Sequence, residues 1–383
     1  MTRRATRAAA ALLCAAAVAV APASPAHADQ VRRNQWHLQY LRATEAHKIT
    51  QGNGVTVAVV DTGVDPHPDL RNNLLSGTDT FPGGRGTGRI DNDGHGTAVA
   101  GIIAAHGRSN NGGILGIAPK AKILPIRYVA PSGADDDPGD IAKGINWAVA
   151  RGAEVINISS TASSTTRLRQ AVEAAIRADV VVVAGAGNSS GGFIVGFPAA
   201  YQGVVAVSAT DRRGNHSDVS VTGSKIVIAA PGVDISSTRD NGKYQSGDGT
   251  SFSTAIVAGA AALVRSKYPD LSAEEVVHRL TATADDKGAP GRDEEYGYGV
   301  LNIVKALTAD VPPLEGGANP SASAAPTAPQ TAPAGNAAPK PEEKSNVGSM
   351  ILIGVLVALV VLGLLVTLLV VFLLRRRQQP YRS

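Results

Sequence analysis

Cysteine is almost missing. The one cysteine in 383 residues is Cys14, so no disulfide can close within the chain and no thiolate zinc site can form. Any exported domain must therefore be held by its packed core. Glycine (42) and proline (22) are too few for collagen. Charge of one sign is also scarce. The formal net charge is +4, but seven of the 36 basic residues are arginines 3, 4, 7, 375, 376, 377 and 382, at the two ends. Without them 29 basic residues face 32 acidic ones, which removes the reason to expect a nucleic-acid partner. With 44% hydrophobic residues, the chain can bury a sizeable core.

Both ends carry targeting signals. Residues 1–28 read as a signal peptide: Arg3, Arg4 and Arg7, then an apolar run over 8–20, then Ala26-His27-Ala28 as a small-x-small cleavage site. Maturation near Asp29 would discard Cys14. Leu13 before that cysteine does not suit a lipoprotein signal, and no twin-arginine context follows Arg3-Arg4. Residues 350–374 are 25 apolar or small residues without a charge, enough to cross a hydrocarbon core of roughly 30 Å. Arg375-Arg376-Arg377 follows, which predicts a cytoplasmic tail over 375–383 and everything before the span outside. Residues 310–349 hold eight of the prolines among Ala, Gly, Ser and Thr. They read as a semi-extended linker. One folded domain over 29–309 remains.

Within it, apolar runs alternate with helical patterns. Strands are expected at 55–60, 123–129, 155–159, 180–184, 204–209 and 226–229. Helices are expected at 96–105, 140–151, 166–177 and 251–268, with another from Ser272, where Ser272 and Glu275 make a capping box. Continuous apolar strands alternating with helices imply a doubly wound, mostly parallel α/β sheet covered on both faces. Ligands then bind beyond the carboxyl ends of the strands.

Four segments carry chemistry. The strand at 57–60 ends in Asp61-Thr62-Gly63. Asp93-Gly94-His95-Gly96-Thr97 places His95 between glycines at a helix start. Gly249-Thr250-Ser251 opens an Ala-rich helix. Ala184-Gly185-Ala186-Gly187-Asn188 leaves a strand end. A serine needs a base to take its proton; an imidazole with a pKa near 6.5 does so, and a carboxylate fixes its tautomer. A side-chain amide and the N–H groups of a helix start can hold an oxyanion.

The order Asp61, His95, Asn188, Ser251 with these flanking residues resembles the subtilisin family of serine proteases over roughly 50–307. The resemblance implies a subtilisin-like fold and a serine endopeptidase, with Asp61, His95 and Ser251 catalytic and Asn188 at the oxyanion. The signal, linker and membrane span, with Gln35-Trp36, resemble the mycosins, membrane-anchored proteases of type VII secretion systems. That implies protein or peptide substrates, a secretion complex as partner, and a cell-membrane location with the domain outside. A mainly structural duty in that complex and a general cell-surface degradative protease are the alternatives. No cofactor and no metal is implied.

Residues Ser159, Ser160, Thr161 and Ala162 resemble the strand that pairs with substrate and edges the first specificity pocket, with Gly187 and Gly196 as further substrate-binding positions. Relatives have Leu-Gly-Gly where this chain has Ser160, Thr161 and Ala162, so the pocket is expected to be narrow. Only 32 residues separate Asp29 from Asp61, too few for an inhibitory pro-domain. Residues 29–54 are instead expected to wrap the domain through Trp36 and Leu38. His67 is expected in a surface turn, His106 and His278 late in helices, and His216 in a loop. Asp135-Asp136-Asp137 reads as a calcium site or, preferably, as a solvated turn leading to a helix capped by Asp140. The glycines at 185, 187 and 191 only mimic a dinucleotide fingerprint, for no helix follows them.

Overall fold

The computed structural model describes residues 26–314 apart from 109–111, 130–136 and 193. The expected signal core, linker, span and tail therefore lie wholly or mostly outside the described residues. Among the described residues, no helix is long and apolar enough to cross a membrane.

Three short helices come first among the described residues: α1 (Ala26–Asn34), α2 (Trp36–Tyr40) and α3 (Ala43–Ile49). Then come β1 (Thr56–Asp61), β2 (Thr78–Asp79), α4 (His95–Ala104), β3 (Lys122–Arg127), α5 (Pro138–Ala150), β4 (Val155–Ile158), α6 (Thr166–Arg177) and β5 (Val181–Gly185). The second half holds β6 (Val205–Thr210), β7 (Ile228–Pro231), the hairpin β8 (Ile235–Arg239) and β9 (Lys243–Gly247), α7 (Thr250–Lys267), α8 (Ala273–Ala282) and α9 (Ile303–Thr308). Seven strands form one parallel sheet in the order β2-β3-β1-β4-β5-β6-β7.

The sheet is buried on both faces because its strands are continuous apolar runs. Val57 and Val59 join Ile102, Ile103 and the Ala-rich α7 in one core layer. Ala58 and Val60, pointing the other way, join Ile141, Ile145 and Leu168 in the second. This alternation within one strand is the period of two. From β1 the chain first builds outward to β3 and β2, then crosses back to place β4 on the other side of β1. Loops leaving β1 and β4 thus diverge, and a crevice opens at their carboxyl ends. Asp61 closes β1, and Ser159 directly follows β4.

The expected core elements form within a residue or two of the boundaries read from sequence. Four features differ. His106 lies two residues past the end of α4, in a β-bridge with Leu115, and not late in the helix. The helix α5 is capped by Asp137, whose side chain accepts from the Gly139 N–H at 2.7 Å, and not by Asp140. Proline at the first turn lets the helix start earlier. His67 is fully buried rather than in a surface turn: Nδ1 accepts from the Asp69 N–H at 3.0 Å and Nε2 donates to the Lys243 carbonyl at 3.0 Å. The hairpin β8–β9 and the helices α1–α3 and α9 have no strong signal, being short and, in the hairpin, polar. Ser272 does cap α8 in a full capping box with Glu275.

The N-terminal helices hold to the domain by polar contacts as well as packing. The Arg32 Nε donates to the Gly113 carbonyl at 2.8 Å, and the Gln35 side chain exchanges two hydrogen bonds with the backbone of Leu115, both 2.9 Å. Trp36 and Leu38 pack on the main core, and the Trp36 indole donates to the carbonyls of Val233 and Asp234.

Candidate active site

At the carboxyl edge of the sheet lies a cleft of about 860 Å³. Its lining includes Asp61, His95, Asn188, Ser251, Gly187, Gly196 and all of 159–162. Every candidate site residue read from the sequence thus meets at one place, brought there from β1, α4, the loop after β5, the segment after β4 and the start of α7.

Asp61 is buried, with its side chain 3% exposed, and its Oδ1 accepts from His95 Nδ1 at 2.7 Å. The Thr62 N–H donates to the same oxygen at 2.8 Å. Since Nδ1 carries the proton toward Asp61, Nε2 is the nitrogen left to serve the cleft. Burial works against a charged imidazole, but the Asp61 charge and hydrogen bond outweigh it, helped by Asp93 and Asp91, and hold His95 up at about 9. The imidazole is still 32% exposed, so water screens part of this field.

The turn that presents His95 is organised by Asp91, which belongs to none of the four sequence motifs. Its Oδ1 accepts from the Asp93 and Gly94 N–H groups and the Thr62 hydroxyl; its Oδ2 accepts from the N–H and hydroxyl of Thr97. One buried carboxylate therefore ties the residue after Asp61 to the first turn of α4. The unforeseen hairpin supports α4 from the other side: buried Ser237 and Thr238 donate to the carbonyls of Ala98 and Thr97, both at 2.6 Å. A carboxylate four residues before a Gly-flanked histidine was the available signal for Asp91.

Ser251 stands in the first turn of α7, where its N–H has no intrahelical acceptor. Its hydroxyl donates to the Ser159 carbonyl at 3.0 Å. Asn188 is oriented by α7 itself: its Oδ1 accepts from the Thr250 N–H and hydroxyl at 3.0 and 3.1 Å. That leaves Nδ2 as the unused donor, with no acceptor among the described residues. Gly249 must be glycine here, since its φ is +146° and a Cβ would stand 3.2 Å from that amide nitrogen.

The opposite wall is built from small groups. Ala162 N–H pairs with the Phe197 carbonyl at 2.8 Å. The Thr161 methyl lies where it would be 2.7 Å from a Cβ on Gly196 and 3.5 Å from one on Gly187. The Thr161 side chain thus reaches into the space both glycines leave open. No described group of three or more His, Cys, Asp or Glu could hold a metal. His67 does not line the cleft.

The model of the Subtilase family matches residues 52–299. The chain belongs to the subtilase family. This subtilase is 40% identical to Subtilisin Savinase of Lederbergia lenta over 273 residues, 71% of this chain and 97% of that one. It is 33% identical to the crystal structure of MycP1 from Mycobacterium smegmatis, with a TM-score of 0.64, covering 72% of this chain and 85% of that one. A second solved structure, a serine protease MycP1 described as an essential component of the type VII (ESX-1) secretion system, is 34% identical with a TM-score of 0.65, covering 76% and 91%. The subtilase is accordingly a subtilisin-like serine endopeptidase with mycosin-like structural neighbours.

Proposed function

We propose that Asp61, His95 and Ser251 form the catalytic triad of a membrane-anchored endopeptidase that processes secreted proteins outside the cell in association with a type VII secretion system. The observation that carries the chemistry is the 2.7 Å bond from His95 Nδ1 to the buried Asp61, with Ser251 on the same cleft. In this reading the Ser251 hydroxyl turns from Ser159 to neutral His95 Nε2 and attacks the scissile carbonyl. The imidazolium, held by Asp61, then protonates the leaving amine, and water repeats the cycle on the acyl-enzyme. The Asn188 Nδ2 and the Ser251 N–H hold the oxyanion. The Thr161 methyl restricts the first pocket to small apolar side chains such as Ala or Val.

The cellular part rests on the signal at 1–28, the span at 350–374 and the likeness to MycP1. N-terminal proteomics of secreted proteins from cells carrying wild type or Ser251→Ala tests both parts together. New termini present only with wild type are expected, together with loss of fluorophosphonate labelling in the variant. Unchanged termini and retained labelling would reject the assignment. A reporter fused after Ser383 is expected to be cytoplasmic; one active only outside would reverse the topology.

A further inference from the structure

Beside the nucleophile lies a pair of reciprocal hydrogen bonds. The Ser251 hydroxyl donates to the Ser159 carbonyl at 3.0 Å, and the Ser159 hydroxyl donates back to the Ser251 carbonyl at 3.2 Å. The Ser159 hydroxyl is itself oriented, accepting from Asn157 Nδ2 at 2.9 Å. Asn157 is fully buried in β4 and Ser159 nearly so. The start of α7 and the end of β4 are thus clasped by two serines, with an asparagine behind them that does not line the cleft.

A serine hydroxyl has one proton. While it lies on the Ser159 carbonyl it cannot also lie on His95 Nε2, so the free enzyme holds its nucleophile in a non-attacking rotamer. The carbonyl that holds it belongs to the segment 159–162, whose backbone edges the cleft. An extended peptide adding to such an edge brings a backbone N–H to its carbonyls. That N–H would compete with the Ser251 hydroxyl for the same acceptor and free it to turn.

We propose that Ser159 is a positioning residue: its hydroxyl, oriented by Asn157, pins the Ser251 peptide, and its carbonyl parks the Ser251 hydroxyl until a substrate N–H takes its place. The inference rests on Ser251 being the nucleophile. It adds that the peptide strand switches the nucleophile on, so that binding and turnover separate in a defined way.

The test uses the full chain in detergent or membranes. On the unaltered protein, two peptide esters are compared that differ only in the group attached to the α-carbon of the residue bearing the scissile carbonyl, N–H in one and CH₂ in the other. Loss of the N–H is expected to lower kcat by at least about tenfold with a smaller change in KM. Equal kcat, or a change confined to KM, overturns the parking role. Ser159→Ala and Asn157→Ala are each expected to lower kcat on the N–H ester by about tenfold with KM within about twofold, and the double variant no more than the worse single one. Raised KM with intact kcat, or additive losses, overturns the positioning role. Fluorophosphonate labelling of Ser251 in the unaltered protein separates the two levels. Labelled Ser251 with none of these effects ends this inference alone, while unlabelled Ser251 ends the triad assignment beneath it.

Discussion

The two walls of the cleft are built on different principles. The wall with Asp61 and His95 is held by charge and dense hydrogen bonding: Asp61, Asp91, Thr62 and Thr97 leave the His95 turn little freedom. The wall from Ser159 to Ala162 is backbone and small side chains, shaped by what Gly187 and Gly196 leave empty. Chemistry tolerates few residue types on the first wall, because proton transfer needs an imidazole and a carboxylate at fixed distance. On the second, in the proposed reading, the Thr161 methyl decides how much room a substrate finds. A change on the first wall should therefore alter rate for every substrate, and a change on the second should alter which substrate is chosen.

The largest expected effect breaks the first wall. His95→Ala should lower kcat by about ten-thousandfold or more, leaving what oxyanion stabilisation and binding supply. His67→Ala is the matched control. Its imidazole is buried in a separate network with Asp69 and the Lys243 carbonyl, so melting temperature should fall while kcat of the folded fraction stays within about threefold. A reversal, with turnover lost at His67 and kept at His95, would place the base elsewhere.

Asn188→Ala comes next. In the proposed mechanism its amide meets charge that exists only in the transition state, so kcat should fall by about 100- to 1000-fold with little change in KM. Oδ1 also holds the Thr250 N–H. Asn188→Asp keeps that acceptor and removes the donor, and should be as slow as the alanine variant. An aspartate variant near wild-type rate would mean that the residue only orders the start of α7.

How much of this was legible in the sequence follows the same division. The strands and long helices were readable because burial on both faces demands continuous apolar runs, and the four motifs were readable because their residue types are chemically constrained. Asp91 was not singled out, since its role lies in accepting five bonds from a folded turn that no linear pattern displays. The Ser237 and Thr238 supports were hidden for a related reason: alternating Ser and Thr in a short hairpin look like loop until their hydroxyls find the carbonyls of α4. His67 misled because a proline-flanked turn predicts exposure, whereas Tyr244, in edge contact with its ring, and the β9 backbone cover it.

On the second wall, Thr161→Gly with Ala162→Gly should widen the first pocket. Filling such a space costs about 1–3 kcal/mol, or roughly 5- to 150-fold in discrimination. Wild type is expected to cleave after Ala or Val and poorly after Phe, Tyr, Arg or Lys. The double variant should gain on Phe and Leu by a factor in that range while keeping its rate after Ala. A peptide library profiled with both proteins measures this. Wild type already preferring aromatic residues, or a double variant with an unchanged profile, would mean that Thr161 does not bound the pocket.

The smallest expected effect concerns the tuning of His95 by its neighbours. In the proposed mechanism the ring is the base only when neutral, so with His95 held up at about 9 activity is expected to rise with pH from the usual histidine value near 6.5 toward 9. Stability runs the other way. A folded-state pKa above the unfolded one binds extra protons in the native state, so this contribution is complete below about 6.5 and is lost as pH rises through about 9. Asp93 raises His95 through its charge while its Oδ1 also accepts the His95 N–H. Asp93→Asn keeps an oxygen for that bond and removes the charge. The acid limb of kcat/KM should move down, by less than Asp61→Asn would move it, and the rate at the alkaline plateau should change little, because Asp61 still fixes the tautomer. Raising the ionic strength should shift the wild-type limb in the same direction and the Asp93→Asn limb less, since salt screens a charge that the variant no longer carries. An acid limb that stays put in the variant would show that the field at His95 comes from Asp61 and Asp91 alone, and one that moves up would show that Asp93 does not raise His95.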